Sequence, residues 1–224
     1  MSQVISVLVL RLEAVLQSWG EYSKWNTRDS ATIPTKSAII GLLGCVLGWE
    51  RGDSRLVSLS DQLQMVVRVD RSGRLINDFH TVTAKKMINA EGKRRTGGNT
   101  LVTNRYYLQD ACFTVFLIGE KDLLYKLENA LKFPKWPLFL GRKCCVPSRP
   151  VLDGTVKEFS SIKDALNSVS FADRADSLIF VETDELIDGF DGISLQRMDS
   201  LKEGFREFQY RSVIRCVLPK VKVE

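Results

Sequence analysis

A chain of 224 residues holds one large domain or two small ones, and its 44% hydrophobic and 26% charged residues are those of a globular protein, not of a disordered chain, a collagen-like fibre or a coiled-coil rod. The longest apolar run, residues 38–49, is broken by Gly41, Gly44 and Gly48 and is shorter than the roughly 20 residues of a membrane span. Net charge is +5, and a single histidine, His80, excludes multi-histidine zinc sites, two-histidine nucleases and HExxH proteases.

Residues 4–12 are an almost unbroken β-favouring run and predict a strand buried on both faces. A polar loop with Gln17, Trp19, Tyr22 and Trp25 follows, as far as Pro34. Thr35 is then placed to cap a helix over residues 39–49. Ser37, Gly41, Gly44 and Gly48 give that helix a small-residue face, suited to close packing on a sheet for Gly44 and Gly48. Residues 63–70 alternate apolar and mostly polar, as in a half-buried strand, and residues 71–74 read as a turn into a short strand. Residues 111–118 predict a second fully apolar strand. Residues 121–131 repeat leucine at helical spacing until Pro134 stops them.

The first ~135 residues therefore follow the βαββαβ order of an α+β, ferredoxin-like (RRM-like) domain with a segment inserted between its middle strands. That insertion, residues 83–104, is glycine-bearing, poor in apolar residues and reads as a long functional loop. Beyond Pro150 a short amphipathic helix, with Ser161 and Asp164 as a capping-box variant, leads to strands over residues 178–182 and 208–218. The expected division is residues 1–150 and a small β-rich unit over residues 151–224.

Charge is unevenly spread. Residues 85–105 and 132–157 are basic and residues 173–203 acidic, which predicts one side that faces a polyanion and one that avoids it. The five cysteines are odd in number and form no CxxC. With no signal-peptide pattern at the N-terminus, reduced cytoplasmic thiols are expected.

Several constellations suit nucleic acid. Lys36 and Ser37 open a helix whose free N–H groups could bind a phosphate, although the stretch is not a Walker A motif. In Gly141-Arg142-Lys143 the glycine permits close backbone approach and the cations neutralise a phosphate. Trp19, Tyr22 and Trp25 beside Lys24 and Arg28 suit unstacked RNA bases, whereas the RRM sheet signature is absent. His80 with Lys85, Lys86 and Tyr106 or Tyr107 could form a metal-independent RNA-cleaving set, with base, acid and cation for the phosphorane. A structural, hydrogen-bonding His80 is the other reading, and Cys112 lies in too apolar a strand to pair with it.

Four segments occur together in one order: Leu16-Gln17-Ser18-Trp19-Gly20, residues 32–44, Asp78-Phe79-His80-Thr81-Val82 and Leu140-Gly141-Arg142-Lys143-Cys144. In these the chain resembles the CasD family of the RAMP superfamily, the subunits that hold the 5′ handle of CRISPR RNA in type I-E Cascade. The resemblance covers residues 1–155 most closely. It implies a ferredoxin-like palm, a thumb formed by the insertion at about residues 83–105, and a small C-terminal part. It further implies a non-catalytic RNA-binding and assembly subunit without cofactor or metal, located in the cytoplasm. Its expected partners are CRISPR RNA, the backbone and large Cascade subunits and, through the complex, target DNA. Arg105 matches a thumb-base arginine that contacts the handle. Gln17, Trp19, Arg28, Lys36, Ser37, Lys85, Lys86, Gly141, Arg142 and Lys143 fall in or beside other handle-facing segments. In related type I-C systems the equivalent subunit cuts RNA with a Tyr, Lys and His set, so the His80, Lys85 and Tyr106 alternative stays open.

Overall fold

The apolar N-terminal run forms β1 (Ile5–Glu13), whose side chains alternate between two cores: Leu8, Leu10 and Leu12 enter one, Val7 and Val9 the other. The structure is a computed structural model that describes residues 4–22, 26–88, 91–93, 100–202 and 207–218. The chain continues through β2 (Leu16–Gln17), β3 (Thr27–Arg28), α1 (Lys36–Leu47), α2 (Arg55–Gln62), β4 (Gln64–Arg71), β5 (Arg74–Thr83) and β6 (Thr100–Gln109). It then forms β7 (Cys112–Ile118), α3 (Lys121–Lys132), β8 (Lys157–Phe159), α4 (Ile162–Ser168), β9 (Ile179–Thr183), β10 (Gly192–Leu201) and β11 (Phe208–Leu218).

A seven-stranded antiparallel sheet has the order β10-β11-β9-β4-β7-β1-β8. Its β4-β7-β1-β8 part, built in the chain order β1-α1-β4-β7-α3-β8, has the βαββαβ arrangement. Ile39, Ile40, Leu43 and Val46 of α1 and Leu124, Leu127 and Leu131 of α3 cover one face, against Leu8, Met65, Val67, Phe113 and Val115. Such side chains contribute about 1.5–3 kcal/mol each on burial. On α1 the small residues serve ends other than sheet packing. A Cβ on Gly44 would come within 2.6 Å of Leu56 on α2, and Gly48, at φ 72°, ends the helix in the left-handed region.

The second face of the sheet corrects the expectation of a half-buried β4, because its polar side is buried as well. Arg11, Thr114 and Arg68 lie in register across β1, β7 and β4, and Arg68 and Asp70 are fully buried. The Asp70 carboxylate accepts from Arg11 Nη1 (2.5 Å), Arg68 Nε (2.7 Å), Thr114 Oγ1 (3.0 Å) and the Ala172 N–H (2.8 Å). The remaining Arg68 donors reach the carbonyls of Leu166, Val169 and Ser170 at the end of α4, under the ring of Phe171 at 4.1 Å. Two guanidiniums and one carboxylate are thus kept out of water only because nearly every donor is matched. Helix α4 has the predicted cap: Ser161 Oγ accepts from the Asp164 N–H at 3.1 Å, and Asp164 accepts from the Ser160 N–H at 3.1 Å.

The strands beyond Pro150 join this same sheet. β9 pairs with β4, and β11 and β10 follow outward. β10 was not anticipated. The end of the inserted segment is not loop: Thr100–Gln109 is strand β6, paired along its length with β5. These two ten-residue strands form an arm, and β6 also carries β2 and the parallel β3 in a second, four-stranded sheet. Among the described residues no helix is long and apolar enough to cross a membrane, and no cluster of His, Cys, Asp or Glu is placed to hold a metal ion.

Candidate nucleic-acid interface

Pairing in the arm sheet decides which side chains share a face. Asp78, Arg105 and Arg28 lie in one row across β5, β6 and β3. Tyr107, two residues along β6, projects to the same side as Arg105. Over the Tyr107 ring sits the guanidinium of Arg142, 4.5 Å from its centroid, and Arg142 Nη2 donates to the carbonyls of Arg28 (2.9 Å) and Asp29 (3.3 Å). Arg142 Nη1 is buried with no hydrogen-bond partner. Among the described residues none of Arg28, Arg105 and Arg142 forms an ion pair with a carboxylate. Arg28 and Arg105, with Asp78 as the one carboxylate in their row, can hold an anionic backbone, whereas the Tyr107 ring, 6% exposed and covered by Arg142, is closed to a base. Lys143 is exposed beside them, and Lys85 and Lys86 are exposed beyond the end of β5.

Gly141 earns its place differently from the expectation. At φ 91° its missing Cβ faces the Ser18 carbonyl, where any side chain would collide, and Ser18 N–H donates to Leu140 O at 3.1 Å. The close approach it permits is of one backbone to another, and it fixes the loop that carries Arg142.

Other expected contacts are consumed by the fold. Gln17 is fully buried, with Nε2 donating to Leu12 O (3.1 Å) and Ala111 O (2.8 Å). Trp19 is 1% exposed and donates from Nε1 to Gln17 Oε1 at 3.2 Å. Both are core residues, out of reach of a base. Lys36 turns away from solvent to Asp184 (3.6 Å), and its N–H donates to Asp199 Oδ2 at 2.7 Å. A carboxylate of the protein thus occupies the place expected of a phosphate at the α1 N-terminus, and it caps the helix that Thr35, whose side chain makes no capping bond, leaves open. Ser37 Oγ lies 3.4 Å from Thr35 Oγ1, within this same corner. Tyr22 is exposed, and Trp25, Lys24, Arg94 and Arg95 lie outside the described residues.

The tyrosines expected of a nuclease set do not meet His80. His80 faces Thr103 across the arm, with Nδ1 3.4 Å from Thr103 Oγ1. Tyr106 projects from the opposite face of β6. Tyr107 shares the His80 face but lies four residues further along the strand, roughly 13 Å at 3.3 Å per residue. Cys112 is fully buried, and burial pushes its thiol up to about 11.

Charge was legible as composition but not as geometry. In the second basic segment Lys132 pairs with Glu128 (2.5 Å) and Arg149 with Asp153 (3.0 Å). The acidic segment supplies Glu182 to Arg197 and Arg215 (3.1 and 2.8 Å), and Asp199 and Asp184 to Arg211. It ties β9, β10 and β11 together and to α1. Tyr107, 6% exposed and packed in the main core, supports the loop that carries Arg142.

The family model described as "CRISPR-associated protein (Cas_Cas5)" matches residues 7–214. "CRISPR system Cascade subunit CasD" of Escherichia coli (strain K12) is 34% identical over 174 residues, 72% of this chain and 76% of that protein. A chain of a solved "CRISPR RNA-guided surveillance complex" superposes with a TM-score of 0.71 at 28% identity, over 95% of this chain and 89% of that one. A "Crystal structure of Cas protein" gives a TM-score of 0.67 at 33% identity, over 96% and 95%.

Proposed function

Because the chain belongs to the Cas5 family of CRISPR-associated proteins, we propose that it is a non-catalytic RNA-binding subunit of a type I-E Cascade complex, holding the 5′ handle of CRISPR RNA and nucleating assembly. The β5–β6 arm is the thumb, the βαββαβ part is the palm, and the handle lies in the angle between them. The observation that carries this reading is the row of Arg28 and Arg105 beside Arg142, three guanidiniums with one carboxylate, Asp78, in their row. Phosphates pair with Arg28, Arg105 and Lys143. Lys85 and Lys86 at the arm's end follow the guide. Neighbouring Cascade subunits and, through them, target DNA are the other partners. The separation of His80 from Tyr107, and the opposite facing of Tyr106, support a role without RNA cleavage.

The test is binding of a labelled CRISPR repeat RNA by the purified chain in EDTA, with heparin as an equally charged competitor. The expected result is an intact, salt-sensitive complex that heparin displaces poorly. Arg105→Ala should weaken it and lower the slope of log affinity against log salt by about one. Unchanged affinity and slope in that variant would remove Arg105 from the site. Specific cleavage of the RNA, lost in His80→Ala, would overturn the non-catalytic reading.

A further inference from the structure

Both legs of the arm leave the palm at one point, and that point is built as a joint. Outgoing, β4 is bulged against β7 between Val69 and Arg71 and passes through Gly73, at φ 69°, into β5. Returning, β6 passes through Asp110, at φ 57°, into β7. The legs touch: a Cβ on Gly73 would lie 2.5 Å from Gln109 O and 2.8 Å from Ala111. Arg71 closes the joint by spreading its guanidinium over three separate segments. Nε donates to Asp110 O on the return leg (3.2 Å), Nη2 to Glu13 Oε1 at the end of β1 (2.5 Å) and Nη1 to Asp173 O in the loop before β9 (2.7 Å). Beside it, Asp176 accepts from both the N–H (2.8 Å) and the hydroxyl (2.9 Å) of Ser72. Among the described residues Asp110 and Arg174 alone combine a side chain with a positive φ, and both line the open cleft of about 470 Å³ against this joint, together with Glu13, Arg71 and Asp173. Elsewhere the base of the arm sheet is held by β2 and β3, which pair with β6 over two residues each, and by Tyr107 and Leu108, which are buried in the main core.

We propose that Arg71 is the positioning residue of the arm: its three-way grip fixes the angle between arm and palm, in which the handle would lie. It contacts no ligand. The inference rests on the proposed RNA-binding reading for its consequence, but the grip itself can be tested without RNA.

The experiment places spin labels at Val82→Cys on the arm and Tyr125→Cys on α3, with Cys45 and Cys144 replaced by alanine, and measures the arm–palm distance distribution in the full chain. Arg71→Met and the milder Glu13→Gln are compared with the parent, after thermal melts confirm a folded palm. A broader distribution is expected in both, greater in Arg71→Met. Repeat-RNA affinity should fall by roughly tenfold in Arg71→Met, with the salt slope unchanged because no phosphate contact is lost. Distributions as narrow as the parent's in both variants would overturn the proposal. A slope lowered by about one would overturn it too, by making Arg71 a phosphate contact. If the parent binds no RNA, the function reading fails while the distance measurement still decides the joint.

Discussion

Arg142 stacks 4.5 Å over the ring of Tyr107 while donating to the Arg28 and Asp29 carbonyls, so a residue of the 140–145 loop is tied both to the arm and to the strand beside it. Its role is double, structural and electrostatic, whereas among the described residues Arg105 makes no such bonds. Arg142→Ala should therefore lower both RNA affinity and thermal stability, the latter by about 1–2 kcal/mol from the lost stack and hydrogen bonds. Arg105→Ala should lower affinity alone. Melting curves and salt-dependent binding of the two variants, measured together, check the contrast.

The α1 corner makes the opposite prediction. Asp199 is 1% exposed and accepts from the Lys36 N–H and from Arg211, while Lys36 faces Asp184. Asp199→Ala leaves the helix terminus without its acceptor and Arg211 with Asp184 alone, and should cost about 1–3 kcal/mol in denaturant unfolding. Lys36→Met should also destabilise, by less, and should leave the RNA salt slope where it was. A slope lowered by about one would return Lys36 to the binding surface.

A further prediction concerns acid. The Glu128 carboxyl is held below the usual carboxylate range, first by the hydrogen bond from Lys132 and then by the Val156 N–H at 2.7 Å. A depressed value means that its contribution to stability is present above the unfolded-state value of about 4.3 and is lost as pH falls through the lower folded value. Glu128→Gln should therefore melt below the parent at pH 7, and the two melting temperatures should converge below about pH 4. A gap that stays constant from pH 7 to pH 3 would show that charge is not what Glu128 contributes.

Gly141→Ala should be among the most damaging single-methyl additions. The new methyl points at the Ser18 carbonyl from a backbone at φ 91°, so strain and collision add. A loss of about 2 kcal/mol or more is expected, with weaker RNA binding because the Arg142 loop moves. Gly92→Ala, where a Cβ meets nothing within 4 Å, is the control for left-handed backbone strain without the collision.

What was legible in the chain was whatever short-range pattern decides. Unbroken apolar runs became β1 and β7, leucine spacing became α3, and Ser161 with Asp164 became the cap of α4. What escaped depends on partners distant in sequence. Arg68 and Asp70 read as the wet side of β4 until α4 and Arg11, from opposite ends of the chain, are found covering them. Trp19 and Gln17 have the composition of a base-stacking loop, yet the carbonyls of Leu12 and Ala111 draw them inward. Lys36 looked free because the acids that bind it lie some 150 residues later, as with Asp199 at a separation of 163. Cationic composition located the arm, but only register could separate the Arg105 face from the Tyr106 face.

The insertion of β9 beside β4 has a consequence for how the protein is made. A ribosome releases β1, β4 and β7 early, but the other edge of β4 has no neighbour until Ile179–Thr183 emerges. Until then a nascent palm carries a bare central strand and a buried-type arginine, Arg68, whose acceptors at Leu166, Val169 and Ser170 have not yet been translated. Truncation before β9 should thus leave a chain that sticks to its copies, and a pause in translation near residue 150 would be hazardous in a way that a pause after residue 183 would not.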